Sequence, residues 1–150
     1  MNLDLVAEEL KKTVSDVSVK LSKISDAEAK NKPAPGKWSK KEIIGHLIDS
    51  ASNNHQRFVR AQYVKNLALP GYEQDAWVSI QGYNEHDWQE LISLWKFYNL
   101  HLAELLNKVP EEKSNTLLHI GEDSNDPVTL GFVAKDYLRH LKHHLAQVGF

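Results

Sequence analysis

Four stretches of this chain repeat apolar residues at spacings of three and four, and that period restricts the fold to packed helices more than any other feature. The first stripe is Leu3, Val6, Leu10, Val14, Val17, Leu21 and Ile24, with Glu8, Glu9, Lys11 and Lys12 outside it. The second is Ile43, Ile44, Leu47, Ile48, Ala51, Phe58, Val59 and Tyr63. Trp88, Leu91, Ile92, Trp95, Tyr98, Leu102, Leu105 and Leu106 make the third, and Leu130, Ala134, Tyr137, Leu138, Leu141, Leu145 and Val148 the fourth. Four helices of about 20 residues, each with one apolar face, bury those faces most simply as an antiparallel-type four-helix bundle. The sequence therefore predicts an all-α fold, with residues 1–150 as a single domain.

Helix ends carry their own signals. Ser39 followed three residues later by Glu42 predicts a capping box at the start of the second helix, which is expected to run until shortly before Pro70. Asn84 is expected to cap the third helix, with Asp87 in its first turn, and Thr129 to cap the fourth. Residues 70–82, with Tyr72, Asp75 and Trp77, read as a loop leading to Tyr83. Residues 111–128 are polar and turn-rich; the run Leu117-Leu118-His119-Ile120 reads as a short strand with no partner and little structural weight.

Composition excludes several functions. Eighteen Lys and Arg stand against 20 Asp and Glu, a net charge of -2, and a chain without a clustered basic face is a poor nucleic-acid binder. No apolar run nears the roughly 18 residues that span a bilayer. With no cysteine, disulfides, thiolate nucleophiles and sulfur-based zinc sites are excluded, and a reducing compartment fits. The acidic start, MNLDLVAEELKK, lacks the basic opening and apolar run of a signal peptide. A cytoplasmic protein with neither nucleic acid nor membrane as partner is expected.

The eight histidines are the unusual feature, three of them in the last eleven positions. His140 and His144, four residues apart, project from one helix face and can converge on one ion. Such a pair also occurs without function, and spacing alone leaves both readings open. On a helical wheel the two stand at the border of the apolar stripe, whereas His143 falls on the next strip outward and reads as a surface residue. His46 lies about 60° outside its own apolar arc, on a strip with Glu42, Asp49, Ser50 and Asn53; it reads either as a third ligand or as surface polarity. His55 reads as packed or bonded to a neighbour, His86 as exposed in the first turn of the third helix, His101 as mid-helix without a histidine-type partner three or four residues away, and His119 as a residue of the long loop that can approach the site.

These blocks resemble a known family. The block Lys37-Trp38-Ser39-Lys40-Lys41-Glu42-Ile43-Ile44-Gly45-His46-Leu47 is similar to the Trp-Ser/Thr-x-x-Glu-Ile-x-x-His-Leu signature of the DinB/YfiT-like superfamily. The tail from Arg139 to Gln147 resembles its last-helix pattern, His-x-x-x-His-x-x-Gln, and Tyr72, Asp75, Trp77 and Tyr83-Asn84 resemble its middle loop. The resemblance implies a four-helix bundle holding one divalent transition metal, zinc or nickel, on His46, His140 and His144, often as a homodimer. It also implies either transfer of a low-molecular-weight thiol to an electrophile or metal-dependent hydrolysis.

Three neutral imidazoles leave an ion its full charge and an open position, where it can lower the pKa of water to about 7 or stabilise a thiolate. Asp49, Asn53 and Gln147 are candidates to orient an imidazole or bind substrate. Asp75, Glu42 and His143 are candidate general bases. Thiol transfer is the favoured reading on the resemblance; the alternatives are a hydrolase using metal-bound water, a non-catalytic metal or small-molecule binder, and a helical interaction module with incidental histidines.

Overall fold

A computed structural model of the chain describes residues 2–121 and 125–150. The four stripes become four long helices: α1 (Asp4–Leu21), α3 (Lys40–Arg60), α5 (Trp88–Asn107) and α6 (Leu130–Val148). Between them lie two short helices, α2 (Asp26–Lys30) and α4 (Gln74–Gln81), and three short strands, β1 (Leu67–Leu69), β2 (Leu117–Ile120) and β3 (Val128–Thr129). The architecture is a four-helix bundle. Both α1 and α3 pack against α5 and α6, so α1 and α3 sit across the bundle's diagonal. Trp88, Trp95, Phe58, Leu10 and Leu102 fill the centre, all fully buried. Among the described residues no helix is long and apolar enough to cross a membrane.

The caps at both functional helices form as expected. Ser39 Oγ accepts from the Glu42 N–H, and the Glu42 carboxylate accepts from the Ser39 N–H, so the start of α3 is fixed to a single residue. Thr129 Oγ1 accepts from the Phe132 N–H at the start of α6.

Four expectations are corrected. The helix expected to approach Pro70 ends at Arg60, and Val59 in its last turn and Tyr63 beyond it are exposed instead of in the core. Asn66 takes a left-handed φ of 51°, which no α-helix continues. The chain then enters β1, which pairs in parallel with β2, while β3 pairs antiparallel on the other side. The run Leu117–Ile120 thus has partners on both edges, and buried Leu67 and Leu118 stand in register. Strand β1 lies some 50 residues earlier and β3 a loop later, and a local apolar pattern carries no record of either pairing. The sheet joins the end of α3 to the start of α6.

The segment 70–82 contains α4 and is not an open loop. The N-cap of α5 is Asp87, whose Oδ1 accepts from the Glu90 N–H, because Tyr83–Glu85 winds into a separate 3₁₀ turn. Asn84 instead accepts a hydrogen bond from the Ser39 hydroxyl at 2.6 Å. Lys41 is buried, pairs with Asp26 at 2.7 Å and donates to the His86 carbonyl at 2.6 Å. It thereby clamps α2 and the entry to α5 onto the first turn of α3. The segment joining α1 to α3 is held over one end of the bundle by these contacts.

Candidate metal centre

The neighbouring helices α3 and α6 bring three histidines together. The i,i+4 spacing sets His140 and His144 one turn apart on α6, and the first turns of α3, held by the capping box, present His46 to them. Nε2 of His46 lies 3.2 Å from Nε2 of His140, and Nε2 of His144 lies 3.1 Å from it. All three ligand atoms fall within 4.8 Å of one another. Zinc–nitrogen bonds of about 2.0–2.1 Å at tetrahedral angles put ligand atoms roughly 3.3 Å apart. The imidazole nitrogens are spaced for one ion.

His46 is fully buried, not at the solvent border. Trp38 covers it with ring centroids 4.9 Å apart and also approaches His144 at 6.4 Å. A wheel drawn for α3 alone cannot register a lid supplied by the preceding connection. Burial, then the neighbouring histidines, push His46 down to about 3 and His140 down to about 4. Burial also lowers His144, opposed by its bond to Gln147. The cluster is therefore neutral at pH 7, the form in which imidazole binds metal.

Gln147 Oε1 lies 2.9 Å from His144 Nδ1. A carbonyl oxygen only accepts, so Nδ1 carries the proton and Nε2 keeps its lone pair facing the cluster. Nδ1 of His46 is buried with no partner among the described residues. Gln147→Leu is expected to weaken zinc binding about tenfold, read by competition against a chromogenic chelator. Unchanged affinity would mean that the carboxamide does not orient the ring.

The other candidates divide. Asp49 is buried, and its Oδ1 accepts from the Tyr83 hydroxyl at 2.6 Å and from Gln81 Nε2 at 2.7 Å. Burial raises its pKa against those two bonds, and burial together with Asp49 raises Tyr83. Asp49 therefore anchors Tyr83 and α4 against α3. Asn53 donates to the Asp49 carbonyl, a helix-surface bond. Glu42 is occupied by its cap and by Lys32 at 2.9 Å. His143 is exposed on α6. Elsewhere, His55 Nδ1 lies 3.0 Å from the Tyr98 hydroxyl and its ring packs on His101; neither joins the cluster.

A cavity of about 650 Å³ opens beside the cluster, bordered by Trp38, Ile43, His144, Gln147, Lys37 and Asp75. Its size suits a small organic substrate. Sequence reasoning missed Trp38 as the cover of the site and Tyr83 and Gln81 as the partners of Asp49. All three belong to segments whose docking depends on the tertiary fold.

Residues 9–148 match the family model of the DinB superfamily. A "putative metal-dependent hydrolase" of Oceanobacillus iheyensis is 26% identical over 75% of this chain and 64% of its own length. YfiT of Bacillus subtilis, named in the same way, is 22% identical over 75% and 63%. The chain thus spans less than two thirds of these relatives' lengths. The solved structure of Bacillus subtilis YfiT, described as a probable metal-dependent hydrolase with an unusual four-helix bundle topology, superposes with a TM-score of 0.85 at 20% identity, covering 95% of this chain and 81% of that one. A mycothiol-dependent maleylpyruvate isomerase superposes with a TM-score of 0.77 at 14% identity, over 99% of this chain and 61% of that one. At these identities the two structures speak for the fold alone.

Proposed function

The chain belongs to the DinB superfamily, and from that premise we propose that it is a metal-dependent enzyme that transfers a low-molecular-weight thiol to a small electrophile, with His46, His140 and His144 as the ligands of one divalent ion. The observation that carries this reading is the convergence of three neutral imidazoles beside an open cavity of about 650 Å³. A divalent ion on three uncharged ligands keeps its double charge and an open position, which favours a bound thiolate or lowers the pKa of water.

The chain's own residues have defined tasks. Gln147 fixes the tautomer of His144, and Trp38 excludes water from His46. Asp75, exposed on the cavity rim, is the carboxylate assigned here to proton exchange with a substrate entering the cavity. The chain has no cysteine, so a sulfur nucleophile has to arrive as a co-substrate. The names of the sequence relatives favour a second reading, hydrolysis.

One experiment separates the readings. Zinc- and nickel-loaded protein is incubated with a thiol and 1-chloro-2,4-dinitrobenzene, and separately with p-nitrophenyl acetate without thiol. Thiol transfer predicts conjugation that depends on both metal and thiol. Ester cleavage alone would move the assignment to hydrolysis, and no turnover in either assay would leave a metal binder.

A further inference from the structure

A second cavity, of about 170 Å³, lies between α3 and α6 next to His140, whereas the larger one opens beside His144. Its floor is the continuation of the His46 face of α3: Ser50, Asn54 and Arg57 follow at helical spacing. An arginine on a helix leans toward the N-terminus, so Arg57 leans back along this face toward the histidines. Tyr72 and Ile120 close the opposite side.

The guanidinium is under-satisfied for such a place. It is half-buried, and burial lowers its pKa. Its one hydrogen bond among the described residues runs from Nη1 to Asn54 Oδ1 at 3.2 Å, leaving most of its five N–H donors unused. Asp136 also borders the cavity and, with Tyr72, favours the charged guanidinium without bonding to it; its Oδ1 is held by Arg139 through Nε and Nη2 at 3.0 and 2.6 Å. No ion pair joins Asp136 to Arg57 among the described residues. Charges removed from water are normally paired, and the planar fork of arginine matches a carboxylate in bidentate fashion.

We infer that this cavity is a carboxylate subsite: Arg57, braced by Asn54, holds the carboxylate of a small organic acid whose reacting end lies at the three-histidine centre. The inference rests on the proposed function for its link to catalysis, since His140 borders this cavity and belongs to that centre. It narrows the substrates to those with a carboxylate a few bonds from the reacting atom.

The test uses metal-free protein, so that an ion cannot itself capture the probe. Propionate is titrated into the protein with NMR detection of the Arg57 Nε–H and the Asn54 carboxamide, beside Arg57→Gln and Arg57→Lys. Wild type is expected to bind at millimolar concentrations with both signals shifting. Arg57→Gln should weaken binding roughly tenfold or more, and Arg57→Lys less, because a lysine keeps the charge and loses the fork. No shift of either signal at 50 mM propionate, a probe range set by about 1.8 kcal/mol of binding, would overturn the subsite. So would equal affinity in Arg57→Gln, or binding of inorganic phosphate in preference to propionate. Zinc uptake by wild type and Arg57→Gln is measured alongside: uptake without propionate binding removes the subsite alone, and propionate binding without uptake removes the metal reading alone. Should Arg57→Gln fail to fold, the two wild-type signals still decide.

Discussion

Alanine at His46, His140 or His144 will lower zinc affinity by at least about a hundredfold, since structural zinc sites owe their 10–16 kcal/mol to a handful of ligands. Elemental analysis of untagged protein should then give about one ion per chain in wild type and close to none in each variant. Melting temperatures add a second reading. Metal at a thousand times its dissociation constant stabilises the native state by about 4 kcal/mol. For a chain of this size that is a rise of roughly 8–16 °C, and it should vanish in all three variants. The metal-free variants should differ from one another: His46→Ala opens a space under Trp38 in a fully buried position, whereas His140 and His144 are half-buried and cost little to truncate. Wild type without metal should still melt cooperatively, because the core of Trp95, Phe58, Leu10 and Leu102 is complete without the site. A metal-free protein that is unfolded, or a variant that keeps its ion, would remove the centre from the account.

What the sequence disclosed follows from the distance over which each constraint acts. The four stripes, apart from Val59 and Tyr63 at the end of the second, the Ser39–Glu42 box and the Thr129 cap are local, and the structure has them where the pattern puts them. The pairing of His140 with His144 is legible for the same reason, because one helical turn fixes their relation. The burial of His46 is not, since Trp38 and α6 create it. The weight of strand β2 is not legible either, because its partners lie some 50 residues before it and a loop after it. Asn84 and Asp87 are both good cap residues, and only the 3₁₀ turn at Tyr83–Glu85 decides between them. The Asp49–Tyr83 bond and the setting of Arg57 between α3 and α6 belong to the same class: side chains whose meaning is set by a neighbour from another element.

Gly45 carries this lesson to a single atom. In a helix interior, glycine costs about 1 kcal/mol relative to alanine, so on propensity alone Gly45→Ala should stabilise α3. The structure predicts the opposite. A Cβ at position 45 would stand 2.1 Å from Tyr83 Cδ2 and 2.2 Å from Cγ, far inside van der Waals contact. Tyr83 has little freedom to retreat, being buried with its hydroxyl held by Asp49 at 2.6 Å. Overpacking of a fixed neighbour costs about 1–3 kcal/mol; taking 2–4 °C per kcal/mol, the melting temperature should fall by roughly 2–12 °C. The signature of the mechanism is coupling. In a Tyr83→Ala background, already weakened by the loss of the partner of Asp49, the added Gly45→Ala should be neutral or stabilising, which reverses its sign. A melting temperature at or above wild type for the single variant would mean that α3 and the Tyr83 turn are not locked together. The first turns of α3, which aim His46 at α6, would then owe their position to the capping box and Lys41 alone.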